Sequence, residues 1–518
     1  MRIPLPPILE TTLILASKQD QIRFLSRMLL WGAILSCIAC SAPQNEQGPE
    51  RPNIIFLMDD QRRWDALGVE NEKVYTPYLD KLAEEGVRFS QAVCQAPMCG
   101  PSRTSMMLGL YPNQLGVLRN GQHISDEQLP IKPLAQLFAD AGYETAGFGK
   151  THWGGRPSTR GFQTRYAAEL FEEGAVMMKD LDPEKKQRYQ EEIDDYGPGE
   201  EDPSGYIGRT SALPESDHRD GWVLEKCLEY VQTRDDDRPL FLYLSFLKPH
   251  AAHNVPTGFE DHYQIDETDF AEQPPWNQDH SPHAEGVNRR ELYEGFWKKA
   301  TKTQWKEMTL RYYANCTWID DMYGRAIEAL QKKGLLENAL IIYVSDHGEM
   351  LGERYYRFNK YCLYESSVRV PMIMAGSALG EEWKGKKDHR PAELIDIYPT
   401  LLTAAGIEVP ERAAGLDLLD GKENRPASFC ALHERKDEAA FMLRTQKHKL
   451  ILIMKKKEEA SEYAFPDIIG GEFYDLFSDP REWNNLYGAP SVAEKQEELT
   501  MLLLERLSGM HNQVLAVN

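Results

Sequence analysis

The sequence predicts an α/β protein in which a large, mainly parallel sheet is sandwiched between helices. Apolar runs of strand length alternate with amphipathic helical segments from residue 52 to about residue 350, a pattern typical of parallel strands joined by crossover helices. The runs are apolar along their whole length, as expected for strands that are buried on both faces. The chain has 518 residues, 42% of them hydrophobic, and can fill a core of that size.

The strands and helices are predicted in a regular order. The first strand is "PNIIFLMDD", residues 52–60, and the helical pattern "TPYLDKLAEEGVRF" follows it. Three helix–strand pairs come next: "IKPLAQLFADAGY" with "ETAGFGK", "GWVLEKCLEYVQT" with "RPLFLYLSFLKPH", and "RYYANCTWIDDMYGRAIEALQKKG" with "NALIIYVSDHGEM". The helical segments carry apolar residues at helical spacing, so repeated β-α-β units are expected.

Composition divides the chain into a leader, a linker, a main domain and a smaller subdomain. Residues 52–425 form the main α/β domain, and residues 160–300 within it contain long acidic, Pro-rich stretches that we interpret as insertions covering a substrate. Residues 426–518 predict a smaller C-terminal α+β subdomain with an antiparallel sheet and a closing helix. Residues 41–51 are a polar linker, and residues 1–40 differ from all the rest.

Residues 1–40 resemble an export signal. Arg23 and Arg27 precede the apolar run "MLLWGAILSCIAC", which is too short to span a bilayer. Small residues before Cys37 and Cys40 are similar to a bacterial lipoprotein cleavage site, and ordinary signal-peptide cleavage nearby is the alternative. We therefore expect an exported protein, periplasmic or at the cell surface, that is attached to the membrane through an N-terminal lipid.

Charge and cysteine content exclude several functional classes. The formal net charge of −22 argues against binding to nucleic acid, which requires a broad cationic surface. The eight cysteines have no C-x-x-C spacing outside the signal region, so they indicate neither a zinc knuckle nor a disulfide-rich framework. A small anionic substrate fits this charge if a few cationic groups converge in one pocket.

Four of the predicted strands have polar or charged residues at their carboxyl ends. The carboxyl ends of parallel strands meet at one edge of a sheet, and ligands bind there in open α/β folds. The polar residues at these positions are Asp59 and Asp60, Lys150 and His152, Lys248 and His250, and Asp346 and His347. Carboxylate oxygens suit Ca²⁺ or Mg²⁺, and His347 adds a nitrogen, so these residues predict a metal site.

Cys99 lies in the run "MCGPSRTSMM", in which Pro101 can occupy the first turn of a helix. Cys99 would then be at a helix N-terminus, where backbone N–H groups favour an anion. From these residues alone, Cys99 could be a disulfide partner, a metal thiolate, a buried small hydrophobic residue or the precursor of a modified residue.

The run Cys99-Gly100-Pro101-Ser102-Arg103 resembles the C-x-P-S-R signature of the sulfatase family. Further segments are similar to sulfatase segments in the same order: "NIIFLMDDQ", "GKTHWG", "FLKPH", "SDHGEMLGE", "NKYCLYESSVRVPMIM" and "GEFYDLFSDPREWNNL". The pair "KPH" and "DHG" resembles the iduronate-2-sulfatase branch. The chain departs from the family at Arg354, where histidine is usual and where we expect an effect on the substrate rim.

The resemblance implies an alkaline-phosphatase-like fold, one Ca²⁺ ion and a formylglycine made from Cys99 by a formylglycine-generating or anaerobic maturation enzyme. One oxygen of the hydrated aldehyde would attack sulfur, and the other would later help to expel sulfate as the aldehyde reforms. Carried over by position, the metal ligands would be Asp59, Asp60, residue 99, Asp346 and His347. Arg103 would stabilise the hydrate, and the groups that bind sulfate and move protons would be Lys150, His152, His250 and Lys360.

The expected function is that of a sulfuric ester hydrolase acting on O-sulfate groups of glycans, as in the iduronate-2-sulfatase branch. An aryl or choline sulfate is the alternative substrate. A phosphatase of the same superfamily would instead use two zinc ions and a Ser or Thr nucleophile. If Cys99 is not converted, the same pocket predicts a non-catalytic surface protein that binds sulfated glycans.

Overall fold

The predicted sheet forms the centre of the protein in a computed structural model, which describes residues 51–153, 158–168, 172–195, 202–268, 271, 273–276, 290–433, 437–455 and 467–515. The predicted export signal lies outside these residues, as does the linker except for Arg51. Parts of the acidic and Pro-rich stretches predicted to cover a substrate also lie outside them.

The strands confirm the predicted fold class. In chain order they are β1 Asn53–Asp60, β2 Val87–Phe89, β3 Ala92–Val93, β4 Glu144–Gly149, β5 Thr164–Ala167, β6 Val176–Met177, β7 Thr210–Ser211, β8 Leu240–Pro249, β9 Val255–Pro256, β10 Ala339–Ser345, β11 Met372–Ala375, β12 Lys386–Asp388, β13 Ala392–Glu393, β14 Ser428–Leu432, β15 Glu438–Arg444, β16 His448–Lys455 and β17 Asp467–Asp475. Within the described residues, nine strands form one sheet in the order β12-β2-β11-β10-β1-β8-β4-β5-β6. From β10 to β6 the strands are parallel, whereas β11 runs antiparallel to β10 and β2.

Helices cover the sheet. Those of seven residues or more are α1 Pro77–Glu85, α2 Cys99–Leu108, α3 Leu134–Asp140, α4 Pro183–Asp195, α5 Arg219–Thr233, α6 Arg290–Trp297, α7 Lys302–Lys332, α8 Ile397–Ala404 and α9 Ala493–Leu515, and single turns lie at Pro112–Leu115, Met178–Leu181, Glu353–Tyr356 and Glu365–Val368. The region 160–300 is therefore less irregular than expected, since besides the predicted strand β8 it contains α4, β5 and β6, and all three strands belong to the large sheet. Within the described residues, no helix combines the length and apolar character needed to cross a membrane.

The side chains of β1 separate the protein into two hydrophobic cores. Ile55 and Leu57 pack with residues of α5 and α7, and the alternate residues of β1 pack in the other core. This division follows from strand geometry, because successive side chains point to opposite faces of a sheet. The same alternation continues to the end of β1, so Asp59 and Asp60 leave the strand on opposite sides.

The C-terminal strands β14 to β17 form the predicted antiparallel sheet. The sheet shares a core with the main domain, and the described residues from Arg51 onwards form one compact unit. A buried ion network joins the two parts: Glu365 accepts two hydrogen bonds of 2.7 Å from Arg444 and lies 2.9 Å from Lys449 Nζ. Because Glu365 follows the segment that carries Lys360, the C-terminal sheet fixes one side of the site.

Candidate active site

The ends of the central parallel strands carry the polar residues that the sequence places there. Asp60 is the last residue of β1, and Lys150, His250 and Asp346 directly follow β4, β8 and β10. These strands are neighbours in the order β10-β1-β8-β4, so their carboxyl ends bring the four side chains to one edge of the sheet.

Cys99 is the first residue of α2, as predicted, with Met98 as the N-cap. The thiol is buried, with only 1% of the residue exposed. Ser102 in the first turn donates a hydrogen bond of 2.7 Å to the Asp346 carbonyl. This bond ties the start of α2 to the end of β10 and sets residue 99 against the ends of the strands.

Four of the five predicted metal ligands come together. Asp60, Cys99, Asp346 and His347 are all buried and each offers one ligand atom, and these atoms lie within 4.8 Å of one another. The Cys99 sulfur stands where an oxygen of a formylglycine hydrate would lie. With an oxygen at residue 99, two carboxylates and one imidazole, this donor set fits a hard divalent cation such as Ca²⁺.

Asp59 lies apart from these four ligands. Its carboxylate accepts hydrogen bonds from Tyr323 at 3.1 Å and Tyr343 at 3.0 Å, and it pairs with the buried Arg62 guanidinium. The physical reason is the alternation along β1, which directs Asp59 to the face opposite Asp60. The structure therefore does not bring the fifth predicted ligand into the metal cluster.

The charges around Cys99 favour an anion. Lys360 Nζ lies 3.2 Å and His347 Nε2 lies 3.1 Å from the sulfur. Burial by itself would raise the pKa of the Cys99 thiol, but Lys150, Lys360 and His347 hold it well below its usual value. A pocket that stabilises a thiolate in this way will also stabilise an anionic oxygen or a sulfate group.

Arg103 is fully buried and contacts the Asp346 carboxylate. Its Nε donates to Asp346 Oδ2 at 2.6 Å, and its Nη1 donates to the Lys150 carbonyl at 2.8 Å and to Ser245 Oγ at 2.9 Å. In this arrangement Arg103 orients a predicted metal ligand. Its predicted contact with the aldehyde hydrate stays a prediction.

The remaining predicted catalytic groups surround residue 99. His250 Nε2 lies 3.1 Å from Lys360 Nζ, and the His152 side chain helps to lower the pKa of the Cys99 thiol. Lys150 Nζ pairs with the Asp60 carboxylate. The site thus places two imidazoles and two ammonium groups around one buried nucleophile position, an arrangement suited to transferring an anionic group.

The structure adds two residues that the sequence did not single out. Gln61 is fully buried directly after Asp60, and its Oε1 accepts a hydrogen bond of 2.6 Å from Lys360. Asn120 accepts a hydrogen bond of 3.0 Å from the backbone N–H of Gly100, beside residue 99. Gln61 directly follows the end of a predicted strand, so it could have been identified from the sequence. No sequence feature of the turn that carries Asn120 points to the site.

The predicted effect of Arg354 on the substrate rim stays a prediction, and the structure shows what this side chain contacts. Arg354 is buried, with 4% of the residue exposed, and its Nη2 donates to Tyr474 Oη at 2.8 Å. Its guanidinium also lies 3.8 Å from the centre of the Tyr364 ring. Arg354 therefore packs between the main domain and the C-terminal sheet, where aromatic rings cover its charge.

Known proteins resemble this chain over most of its length. The family model described as Sulfatase matches residues 52–407, and the model described as N-sulphoglucosamine sulphohydrolase, C-terminal, matches residues 352–509. An arylsulfatase from Clostridium perfringens is 29% identical over 479 residues, which cover 89% of this chain and 95% of the relative. An N-acetylglucosamine-6-O-sulfatase from Bacteroides thetaiotaomicron is 28% identical over 543 residues, which cover 93% of this chain and 90% of the relative.

Solved structures share the fold. A phosphonate monoester hydrolase from Silicibacter pomeroyi has a TM-score of 0.69 at 22% identity, covering 88% of this chain and 95% of its own. A protein solved in complex with its substrate D-glucosamine-2-N,6-O-disulfate has a TM-score of 0.63 at 23% identity, covering 89% of this chain and 99% of its own. Since the Sulfatase model spans well over half of the 518 residues, the chain belongs to the sulfatase family, within the alkaline phosphatase superfamily, and is a sulfuric ester hydrolase.

Proposed function

We propose that the protein removes O-sulfate groups from glycans, with a formylglycine at residue 99 and one bound calcium ion. The observation that carries the proposal is the buried cluster of Asp60, Cys99, Asp346 and His347 beneath Lys360. An unmodified thiol fits this chemistry poorly, because its attack on sulfur would leave a stable thiosulfate. The relative that acts as an N-acetylglucosamine-6-O-sulfatase supports a glycan substrate, and the arylsulfatase supports the alternative of an aryl sulfate.

The cationic groups match the charge that develops during the reaction. A sulfate monoester carries one negative charge, and displacement at sulfur builds further charge on the leaving oxygen. Lys360 and His250 contact each other on one side of residue 99, and we assign them to donating a proton to that oxygen. A bound calcium ion would supply Lewis-acid stabilisation of the sulfate oxygens. Arg103 holds the Asp346 carboxylate in place.

Sulfate monoesters are expected to be hydrolysed with a kcat/KM at least about 100-fold above that of matching phosphate monoesters. The physical reason is that phosphate monoesters carry a second negative charge, for which a site with one metal ion is poorly matched. Protein purified from its native host should be assayed on both classes, and then on heparan, chondroitin and algal fragments. A preference for phosphate or phosphonate esters would refute the proposal, as would binding of sulfated glycans without turnover.

His152→Ala is expected to slow the release of sulfate from residue 99 by about 10²–10⁴-fold. This second step then becomes slower than the first step, the transfer of sulfate to residue 99. The His152 carbonyl lies beside Gly100, next to residue 99, and the His152 side chain is our candidate for the base that takes the remaining hydroxyl proton. Rapid mixing with 4-nitrophenyl sulfate should therefore give a burst of about one nitrophenol per site. Mass spectrometry should find sulfate on residue 99.

The matched control is His389→Ala, since His389 is exposed and pairs with Ser90 at the edge of the sheet. That variant should show neither a burst nor a slower turnover. If His152→Ala instead lost only affinity for the substrate and accumulated no sulfated enzyme, the assignment of His152 to the second step would be wrong.

A further inference from the structure

We propose that Lys248 is a positioning residue for His250, and that its ammonium group holds the turn at residues 250–252 in the conformation that orients the His250 ring. The inference rests on the proposed function, because His250 is assigned there to donating a proton to the leaving oxygen. Lys248 is one of the polar residues predicted at the strand ends, but neither the metal cluster nor the assigned proton transfers use it. It is buried near the end of β8, with 8% of the residue exposed.

The Lys248 side chain closes the turn that carries His250. Its Nζ donates to the His250 carbonyl at 3.2 Å and to the Ala252 carbonyl. The Ala252 carbonyl also accepts from the backbone N–H of Asn254 at 2.9 Å, and the His250 N–H donates to the Leu247 carbonyl at 3.2 Å. Two carbonyls of a three-residue turn therefore converge on one ammonium group, which fixes the peptide groups of the turn relative to β8.

The carbonyl of the middle residue, Ala251, contacts the imidazole instead. His250 Nδ1 lies 2.8 Å from the Ala251 carbonyl oxygen. Since a carbonyl can only accept, Nδ1 carries the proton of this bond, and Nε2 is the ring atom that lies 3.1 Å from Lys360 Nζ. The Ala251 peptide lies between the two carbonyls that Lys248 holds. Loss of the ammonium group would therefore release the acceptor that fixes the tautomer and the direction of the ring.

Asp220 stabilises this arrangement from the first turn of α5. Its carboxylate is buried, with 4% of the residue exposed, and accepts from the backbone N–H groups of Leu247 at 2.7 Å and Lys248 at 2.9 Å. Burial lowers the pKa of Lys248, and the negative charge of Asp220 opposes that shift. The carboxylate thus anchors the backbone of Lys248 and favours its ammonium form, which has three N–H donors.

Lys248→Met is expected to make the reaction more dependent on the leaving group. Methionine has a similar shape but cannot donate to the two carbonyls. The value of kcat/KM, which reports the first step, should fall by about 10–100-fold for phenyl sulfates with poor leaving groups and by less than about threefold for 4-nitrophenyl sulfate. A misoriented proton donor has this signature because a good leaving group needs little protonation. Lys248→Gln, which keeps an N–H donor, should recover part of the loss.

A double-mutant cycle with His250→Ala separates positioning from stability. Lys248→Met should not steepen the leaving-group dependence further in the His250→Ala background, since there is no imidazole left to orient. The matched control is Gln95→Leu. Gln95 is buried and also holds backbone groups, because it donates to the Val93 carbonyl at 3.1 Å and accepts from the Ile395 N–H at 3.2 Å. That variant should lower Tm and leave the leaving-group dependence unchanged.

Two results would overturn the inference. Unchanged rates in Lys248→Met, or an equal loss on every phenyl sulfate, would show that Lys248 does not position the proton donor. A further change of the leaving-group dependence in the His250→Ala background would show the same. If Lys248→Met does not fold, Lys248→Gln carries the same test with a smaller expected change. Wild-type protein that hydrolyses no sulfate ester would instead refute the proposed function, and this assay is done first.

Discussion

Cys99→Ala is expected to abolish sulfate ester hydrolysis, lowering kcat/KM by about 10⁴-fold or more. Residue 99 contacts both the predicted metal ligand His347 and the predicted proton donor Lys360. Alanine removes the nucleophile and leaves the surrounding charges in place. The loss should therefore appear in kcat, while binding of inorganic sulfate is retained.

Cys94→Ala is the matched control for this variant. Cys94 is buried and free five residues before Cys99, and it packs in the hydrophobic core. Its substitution should cost about 1–2 kcal/mol of stability through lost packing and change kcat/KM by less than about threefold. Full activity of Cys99→Ala, or equal losses in both variants, would contradict the assignment of residue 99 as the nucleophile.

Removal of divalent cations is expected to lower kcat by about 10²–10³-fold, and addition of Ca²⁺ should restore it. A cation that binds only the folded protein also stabilises it, by about 2.7 kcal/mol at 100 times its Kd, so Ca²⁺ should raise Tm. Calorimetry of the chelated protein with and without Ca²⁺ measures this shift independently of activity.

Asp346→Asn should abolish the Ca²⁺-dependent rise in Tm, because it removes one of the two clustered carboxylates. The matched control is Asp320→Asn. Asp320 is equally buried but accepts hydrogen bonds from the backbone N–H groups of Tyr78 and Leu79, away from the cluster. That variant should be less stable and keep the full Ca²⁺ shift. A shift that survives in Asp346→Asn would contradict the metal site.

The affinity for Ca²⁺ should also depend on pH. Burial would lower the pKa of His347, but with cysteine at residue 99 the charges of Asp346 and of the Cys99 thiolate raise it to about 9 in the metal-free protein. A metal ion must displace that proton before the imidazole can bind it. The Kd for Ca²⁺ should therefore fall as the pH rises towards 9, which titration calorimetry across this range can measure.

The sequence predicted the central strands well because their apolar runs are long enough to be recognised locally. The run at residues 52–60 became β1, and the runs ending at Lys150, His250 and Asp346 became β4, β8 and β10. The antiparallel side of the sheet was not predicted. Val87–Phe89 follows the glycine at which the predicted helix stops and was not predicted as a strand. It forms β2, because a three-residue strand depends on distant pairing that no local window contains.

The sequence predicted which residues belong to the candidate site better than it predicted where their side chains lie. Motif order pointed to Cys99 and Lys360, which lie 261 positions apart in the sequence and are in contact in the structure. Two adjacent aspartates looked equivalent in the sequence, but strand alternation gives them opposite faces, so only Asp60 joins the cluster. The export signal and the lipid anchor stay predictions.

The mass of the peptide that contains residue 99, taken from active protein purified from its own host, tests the central claim most directly. Conversion of the thiol to an aldehyde exchanges one sulfur and two hydrogens for one oxygen, which lowers the mass by about 18 Da. We predict that the converted peptide is present in proportion to specific activity. Fully active protein that carries only unmodified cysteine at residue 99 would contradict the account.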